Sequence, residues 1–147
     1  MKQHPFNIEF NRIFKSYGNE SAPGRLKFER EKYNKFLNFF LLGKSFYFII
    51  NHHTLKTEFV SKELEEVLGY DPSEFNIAFL NNIIHPDDRS WYLAFGASII
   101  DFFSKLPMEK LMKYKVRFDV RLRQKDGSYL RMLSQGILLE HDQNGKF

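Results

Sequence analysis

Residues 114–123, YKVRFDVRLR, alternate without interruption between apolar side chains at even positions and charged ones at odd positions. A period of two separates those sets onto opposite faces only in an extended chain, so the pattern specifies a strand with one buried and one wet face, the mark of an antiparallel sheet. Val116, Phe118 and Val120 belong to the inward face. Asp126-Gly127 follows, the favoured hairpin dipeptide, and residues 128–140 return as the partner strand, with the face assignment blurred from Gly136 to Leu139. His141-Asp-Gln-Asn144-Gly145 is a second hairpin signal before Lys146-Phe147, so the pattern calls for a final strand that is truncated here.

Residues 61–89 concentrate helix boundaries. Ser61 is placed as an N-cap, Leu64, Val67 and Leu68 form an apolar stripe, and Gly69 stops the helix. Asp71-Pro72-Ser73-Glu74 restarts a turn, with Asp71 as cap, Pro72 at the first helical position and Phe75 as inward anchor. In His85-Pro86-Asp87-Asp88 the proline ends segment 78–84, and the aspartates put negative charge at the start of the next helix.

The rest of the chain divides at similar signals. Residues 1–24 are expected to be loosely structured, with an apolar patch at Ile8, Phe10, Ile13 and Phe14 leading into linker chemistry from Gly18 to Gly24. Residues 25–42 carry Leu26, Tyr33, Phe36, Leu37, Phe40 and Leu41 at helical spacing, and Gly43 ends the run. Such a helix must be covered by its own domain or by a second copy. Residues 45–51 and 55–60 are expected strands around a turn at His52-His53, and 87–105 form a long helix with Trp91, Phe95, Ile99, Phe102 and Phe103 on one face, stopped near Pro107. Residues 108–113 are a polar connection.

Composition narrows the chemistry. The 147 residues suit one domain with an attachment, divided at 1–42 and 43–147, and the 17 phenylalanines point to a core built on rings. With no cysteine, disulfides and thiolate chemistry are excluded. No run reaches the roughly 20 apolar residues of a membrane span, and the polar start is no signal peptide, so the cytoplasm is the default. The net charge of +4 lies entirely in residues 1–42, eight basic side chains against four acidic, while 43–147 holds fourteen of each. No basic face on the fold itself follows from that distribution, so nucleic-acid binding is not expected.

Three phrases carry a family resemblance: Glu66-Val-Leu-Gly-Tyr-Asp-Pro-Ser-Glu-Phe75, Ile84-His-Pro-Asp-Asp88, and the PAC-type segment Arg121-Leu-Arg-Gln-Lys-Asp-Gly-Ser-Tyr-Leu130. In this order the chain resembles PAS domains over about residues 44–147. The segments around 61–70 and 113–116, with the long helix ending near Leu106-Pro107, are further similar to N-terminal PAS domains of LuxR-type bacterial transcription regulators. The resemblance implies an α+β fold: an antiparallel sheet in the PAS strand order, its last strand truncated, with helices over one face and an N-terminal helix added. It also implies a small-molecule sensor or a pairing module, followed by an output domain, DNA-binding in the LuxR-type case, that is expected to be absent from this chain.

Cofactor classes within that family can be tested by position. Flavin photosensors of the light-oxygen-voltage kind and coumarate-type photosensors need a cysteine, and haem-binding members use a histidine on the long helix; neither residue is there. His85 beside Pro86 suits capping, and adjacent His52 and His53 suit no chelate. An organic ligand, or none, remains. No nucleophile and base pair, phosphate loop or metal-spaced cluster marks an enzyme. The expected function is therefore a cytoplasmic sensory module, the N-terminal input domain of a transcription regulator, that binds a small organic ligand or controls dimerisation, its cavity lined by Phe48, Phe59, Phe75, Trp91, Phe95, Phe118 and Val120. The alternatives are a ligand-free homodimerisation module acting through Tyr33, Phe36, Leu37 and Phe40, and an input domain for a sensor histidine kinase or a cyclic-dinucleotide enzyme.

Overall fold

The structure, a computed structural model, describes residues 5–18 and 44–139. The expected helix 25–42, with Tyr33, Phe36, Leu37 and Phe40, and the expected turn 141–145 lie outside the described residues.

The alternating segment forms strand β3 (Lys115–Arg123), paired antiparallel with β4 (Tyr129–Ile137) in continuous register from Lys115 opposite Ile137 to Arg123 opposite Tyr129. The even face turns inward: Val120 and Leu122 are buried, Val116 and Phe118 half-buried. Gly127 takes φ +90° to close the turn, its N–H donating to the Gln124 carbonyl, and Asp126 accepts from the Ser128 N–H.

A second hairpin joins β1 (Phe48–Asn51) to β2 (Lys56–Val60). Its register slips between Ile49 and Ile50, whose partners are Phe59 and Thr57, so Glu58 is bulged out. The first strand is shorter than expected from 45–51 because pairing before Phe48 is taken over by Ser61. Ser61 is 2% exposed, donates its N–H to the Tyr47 carbonyl and accepts the Tyr47 N–H on Oγ. That use of the hydroxyl corrects its expected role as an N-cap: the cap position of α2 (Glu63–Leu68) is Lys62, without a side-chain cap bond.

Helix α2 buries Leu64, Val67 and Leu68 and ends at Gly69, φ +83°. There the β3–β4 turn docks. Lys125 donates its N–H to the Leu68 carbonyl, Gln124 Nε2 donates to the Val67 carbonyl, and a Cβ at Gly69 would stand 3.0 Å from Lys125 Cβ. Glycine is thus required by both φ and close approach. The 3-10 turn Pro72–Glu74 carries a full capping box, with Asp71 accepting from the Ser73 N–H and Glu74 accepting from the Asp71 N–H. Helix α3 (Ile77–Ile83) is capped by Asn76, after which Ile84 bridges to Leu122 and the His85 N–H donates to the Arg121 carbonyl.

Helix α4 (Arg89–Ser104) runs back across the inner face of β3. The connection expected to be merely polar holds one helical turn, α5 (Met108–Leu111), pinned by Leu111 at 2% exposure.

The larger correction is at the start of the chain, where loose structure was expected and helix α1 (Pro5–Gly18) is found. Pro5 opens it, and Phe6 and Phe10 recur at helical spacing to bury themselves against Tyr92 of α4, ring centroids 6.4 Å apart in both cases. Asn7 Nδ2 donates to Asn82 Oδ1, and the Arg89 guanidinium lies 5.7 Å from the Phe6 ring centroid while donating to the Ile84 and Asn82 carbonyls. Phe6 thereby joins the core cluster of Leu64, Leu68, Phe75, Ile83, Ile84, Val120 and Leu122.

Candidate functional site

The space between the two hairpins and α3–α4 is lined by rings in two groups. In the first, Phe75 meets Phe48 with centroids 4.8 Å apart and Phe46 at 6.2 Å, and Phe79 continues the row to Tyr70. In the second, Phe118 of β3 is met edge-on by Phe95 at 5.3 Å, Tyr92 at 5.6 Å and Trp91 at 6.1 Å. Val120, 5% exposed, belongs to the same core. Edge-to-face contacts of this kind add to the burial of each ring.

The sequence-selected lining residues are thus divided by the structure. Phe48, Phe75, Phe118 and Val120 share the core, with Phe95 against Phe118. Trp91 touches Phe118 but stays 37% exposed. Phe59 stacks on Tyr47 at 5.4 Å; its strand position alternates with Val60, which packs with Phe48 on the core side. The long helix is turned about one residue from the expected face: Tyr92, Gly96 and Phe103 point inward, while Phe102 is 45% exposed. Burial pushes the Tyr92 phenol up to about 12, so it stays neutral.

Sequence reasoning missed Phe46, Tyr92 and Phe6, and gave Phe10 only as part of an apolar patch. It also missed Asn81, which sits on the buried stripe of α3 with Ile77 and Leu80. The Asn81 side chain is 1% exposed, and its Oδ1 has no hydrogen-bond partner among the described residues. A buried amide oxygen left without a donor costs on the order of 1–3 kcal/mol. The spacing Ile77-Leu80-Asn81-Ile84 could have flagged it as a polar residue on an apolar stripe.

A charged latch closes the far end. Asp88, expected as a helix-start charge, makes no side-chain cap bond. It accepts from the Arg121 N–H at 2.9 Å and from the guanidinium at 2.5 Å, and those bonds hold its carboxyl far below the usual range against the opposing effect of desolvation. His85 does the local capping, accepting from the Asp87 N–H on Nδ1, and its ring stands edge-on to Tyr129 at 4.5 Å. Among the described residues no three His, Asp or Glu side chains converge as a metal site, and no helix is long and apolar enough to cross a membrane.

Comparison with known proteins agrees with this architecture. Curated protein sequences yield no match. Among solved structures, the N-terminal domain of a diguanylate cyclase with PAS/PAC sensor from Marinobacter aquaeolei is similar, at TM-score 0.52 and 19% identity, over 67% of this chain and 82% of that one. At that identity the likeness concerns the fold. The family model for the PAS fold matches residues 57–147, the stretch that contains the latch, both ring groups' central residues and the β3–β4 hairpin, and the chain belongs to the PAS family.

Proposed function

We propose that this PAS domain is a cytoplasmic sensory input module, itself without catalytic activity, that takes a small organic ligand among the rings around Phe75 and Phe118. The observation that carries the proposal is Asn81: a fully buried carbonyl oxygen on α3, without a donor among the described residues, is suited to an uncharged molecule offering one N–H or O–H. The output controlled is best supported as a cyclic-dinucleotide enzyme rather than a LuxR-type regulator, since the similar structure is described as a diguanylate cyclase with PAS/PAC sensor. Native mass spectrometry of the protein as purified tests the ligand: a retained mass beyond the polypeptide, reduced in Asn81→Leu, is the expected result. Bare polypeptide that binds nothing from a library of neutral heteroaromatics would reject it.

A further inference from the structure

Basic and acidic side chains balance over residues 43–147, yet five basic against one acidic fall in 105–117, and the fold places that stretch at one end of the molecule. Trp91 of α4 meets Phe118 of β3 while Phe102 meets Tyr114, ring centroids 6.1 and 5.1 Å apart. Helix and strand therefore run antiparallel, and residues 105–113 form the tip at which the chain turns back. The tip is pinned from within: Leu111 is buried, the Lys110 N–H donates to the Pro107 carbonyl, and the Lys113 N–H donates to the Lys110 carbonyl. Its solvent side is apolar, with Phe102, Met108, Met112 and Tyr114 45%, 43%, 54% and 39% exposed. Lys110, Lys113 and Lys115 are exposed among them and have no carboxylate within ion-pair distance among the described residues; Lys105 is held by Asp101 at 2.6 Å. Lone exposed apolar residues are ordinary, but four at one tip among unpaired cations mark a docking surface.

We propose that this tip docks the protein on an anionic bilayer surface, with Phe102, Met108 and Met112 entering the boundary between headgroups and acyl chains, Tyr114 at headgroup level, and Lys110, Lys113 and Lys115 against lipid phosphates. The charge complements the negative cytoplasmic leaflet, and each lysine carries its ammonium on a long stem that reaches headgroups while the apolar side chains sit deeper. These side chains come from the end of α4, from α5 and its cap, and from the residue before β3, so they project from a chain reversal, a shape for entering a fluid interface rather than for receiving a helix or strand. Other occupants fit poorly. Tip on tip, a second copy opposes the same unpaired lysines, and residues 25–42, with five basic side chains against two acidic, are repelled as well. Nucleic acid would pair with the lysines and leave Met108 and Met112, which stack no base, uncovered. The attachment is peripheral, since no helix among the described residues is long and apolar enough to cross a membrane, and it is independent of any ligand at Asn81.

The test sediments the full chain with vesicles of phosphatidylcholine, alone or with about 40% phosphatidylglycerol. The protein should pellet with the anionic vesicles in about 0.1 M salt, far less in about 0.5 M, and stay in solution with phosphatidylcholine alone. Lys110→Glu with Lys113→Glu should weaken binding by about tenfold or more, and Met108→Ser with Met112→Ser by about fivefold; all four positions are exposed, and circular dichroism checks that each variant is folded. Insertion is read separately by Met112→Trp, whose emission should shift to the blue on anionic vesicles. Wild-type emission should not shift, because it comes from Trp91 alone, about 16 Å back along α4 from Phe102. No binding, equal binding to both vesicles, or an unshifted Met112→Trp emission would each overturn the proposal. So would binding that survives the lysine and methionine variants, as attachment through the basic residues 1–42 would, or release of the protein by a single-stranded oligonucleotide at equal phosphate concentration.

Discussion

Asp88 holds Arg121 by both backbone and side chain, accepting the Arg121 N–H at 2.9 Å and the guanidinium at 2.5 Å, so the residue that precedes α4 fixes the register of β3 against it. The Asp88 side chain is 11% exposed, and removing one partner of a charged pair at such a site leaves the other poorly solvated. Asp88→Ala should cost about 2–3 kcal/mol in urea unfolding. Because folding lowers this carboxyl's pKa, its contribution is present above the unfolded value of about 3.9 and is lost as pH falls below it. Wild-type stability should therefore drop between about pH 4 and pH 2, and Asp88→Asn should flatten that drop; a variant as acid-sensitive as the wild type would remove the latch from the account.

His52 titrates in a different window. In the β1–β2 turn its pKa is lowered to about 4, first by burial and then by repulsion from His53. The folded protein keeps this imidazole neutral while the unfolded chain protonates it near pH 6.5, so stability is whole above about pH 6.5 and falls toward pH 4. A loss of about 3 kcal/mol across that window is expected, and His52→Gln should remove most of it. Melting curves at several pH values from 7.5 to 4.5 measure this without interference from Asp88, whose carboxyl stays ionised there.

Phe118 joins three rings of α4 to β3, and truncation leaves those rings without their common contact. Phe118→Ala should cost about 3 kcal/mol, at the low end for a phenylalanine because the side chain is half-buried. A cost under about 1 kcal/mol, measured by chemical denaturation, would mean that the cluster contributes little packing.

Much of this was legible because it depends on local period. The alternation of 114–123 fixed its buried face, Gly69 and the Asp71-Pro72 box marked boundaries, and the motifs around 66–75 and 84–88 named the fold. What escaped was set by tertiary partners. Ser61 has good cap chemistry, yet its hydroxyl is taken by Tyr47. Asp88 has good helix-start chemistry, yet Arg121, far along the chain, claims it. The inward face of α4 runs through Tyr92, Gly96 and Phe103, and a buried glycine carries no hydrophobic signal to show it. Phe10 belongs to the expected apolar patch and Phe6 does not, and only Tyr92 and Arg89 give these rings something to pack on.

Helix α1 should behave as part of the domain rather than as a tail. Phe6 is 7% exposed and contacts both Tyr92 and Arg89, so Phe6→Ala should destabilise the whole domain by about 3 kcal/mol. Hydrogen exchange should then speed up in α4 as well as in α1. Faster exchange confined to residues 5–18, with global stability intact, would show that α1 is an independently fraying attachment.

Asn81 separates a structural amide from a sensing one. Its Oδ1 is buried and lacks a donor among the described residues, so in protein freed of any bound molecule Asn81→Leu removes an unsatisfied acceptor and keeps similar volume on the stripe with Ile77 and Leu80. The ligand-free variant should be more stable than wild type by about 1–2 kcal/mol, since replacing an orphaned polar group with a matching apolar one removes a desolvation penalty. Ligand reverses the order: a molecule that donates to Oδ1 raises wild-type melting and leaves the variant nearly unmoved. The measurement is a melting series of both proteins after extraction under denaturing conditions and refolding, with and without the small molecules that wild type retains. If Asn81→Leu is destabilising in the stripped protein, the amide is already satisfied within the fold and is not waiting for a ligand.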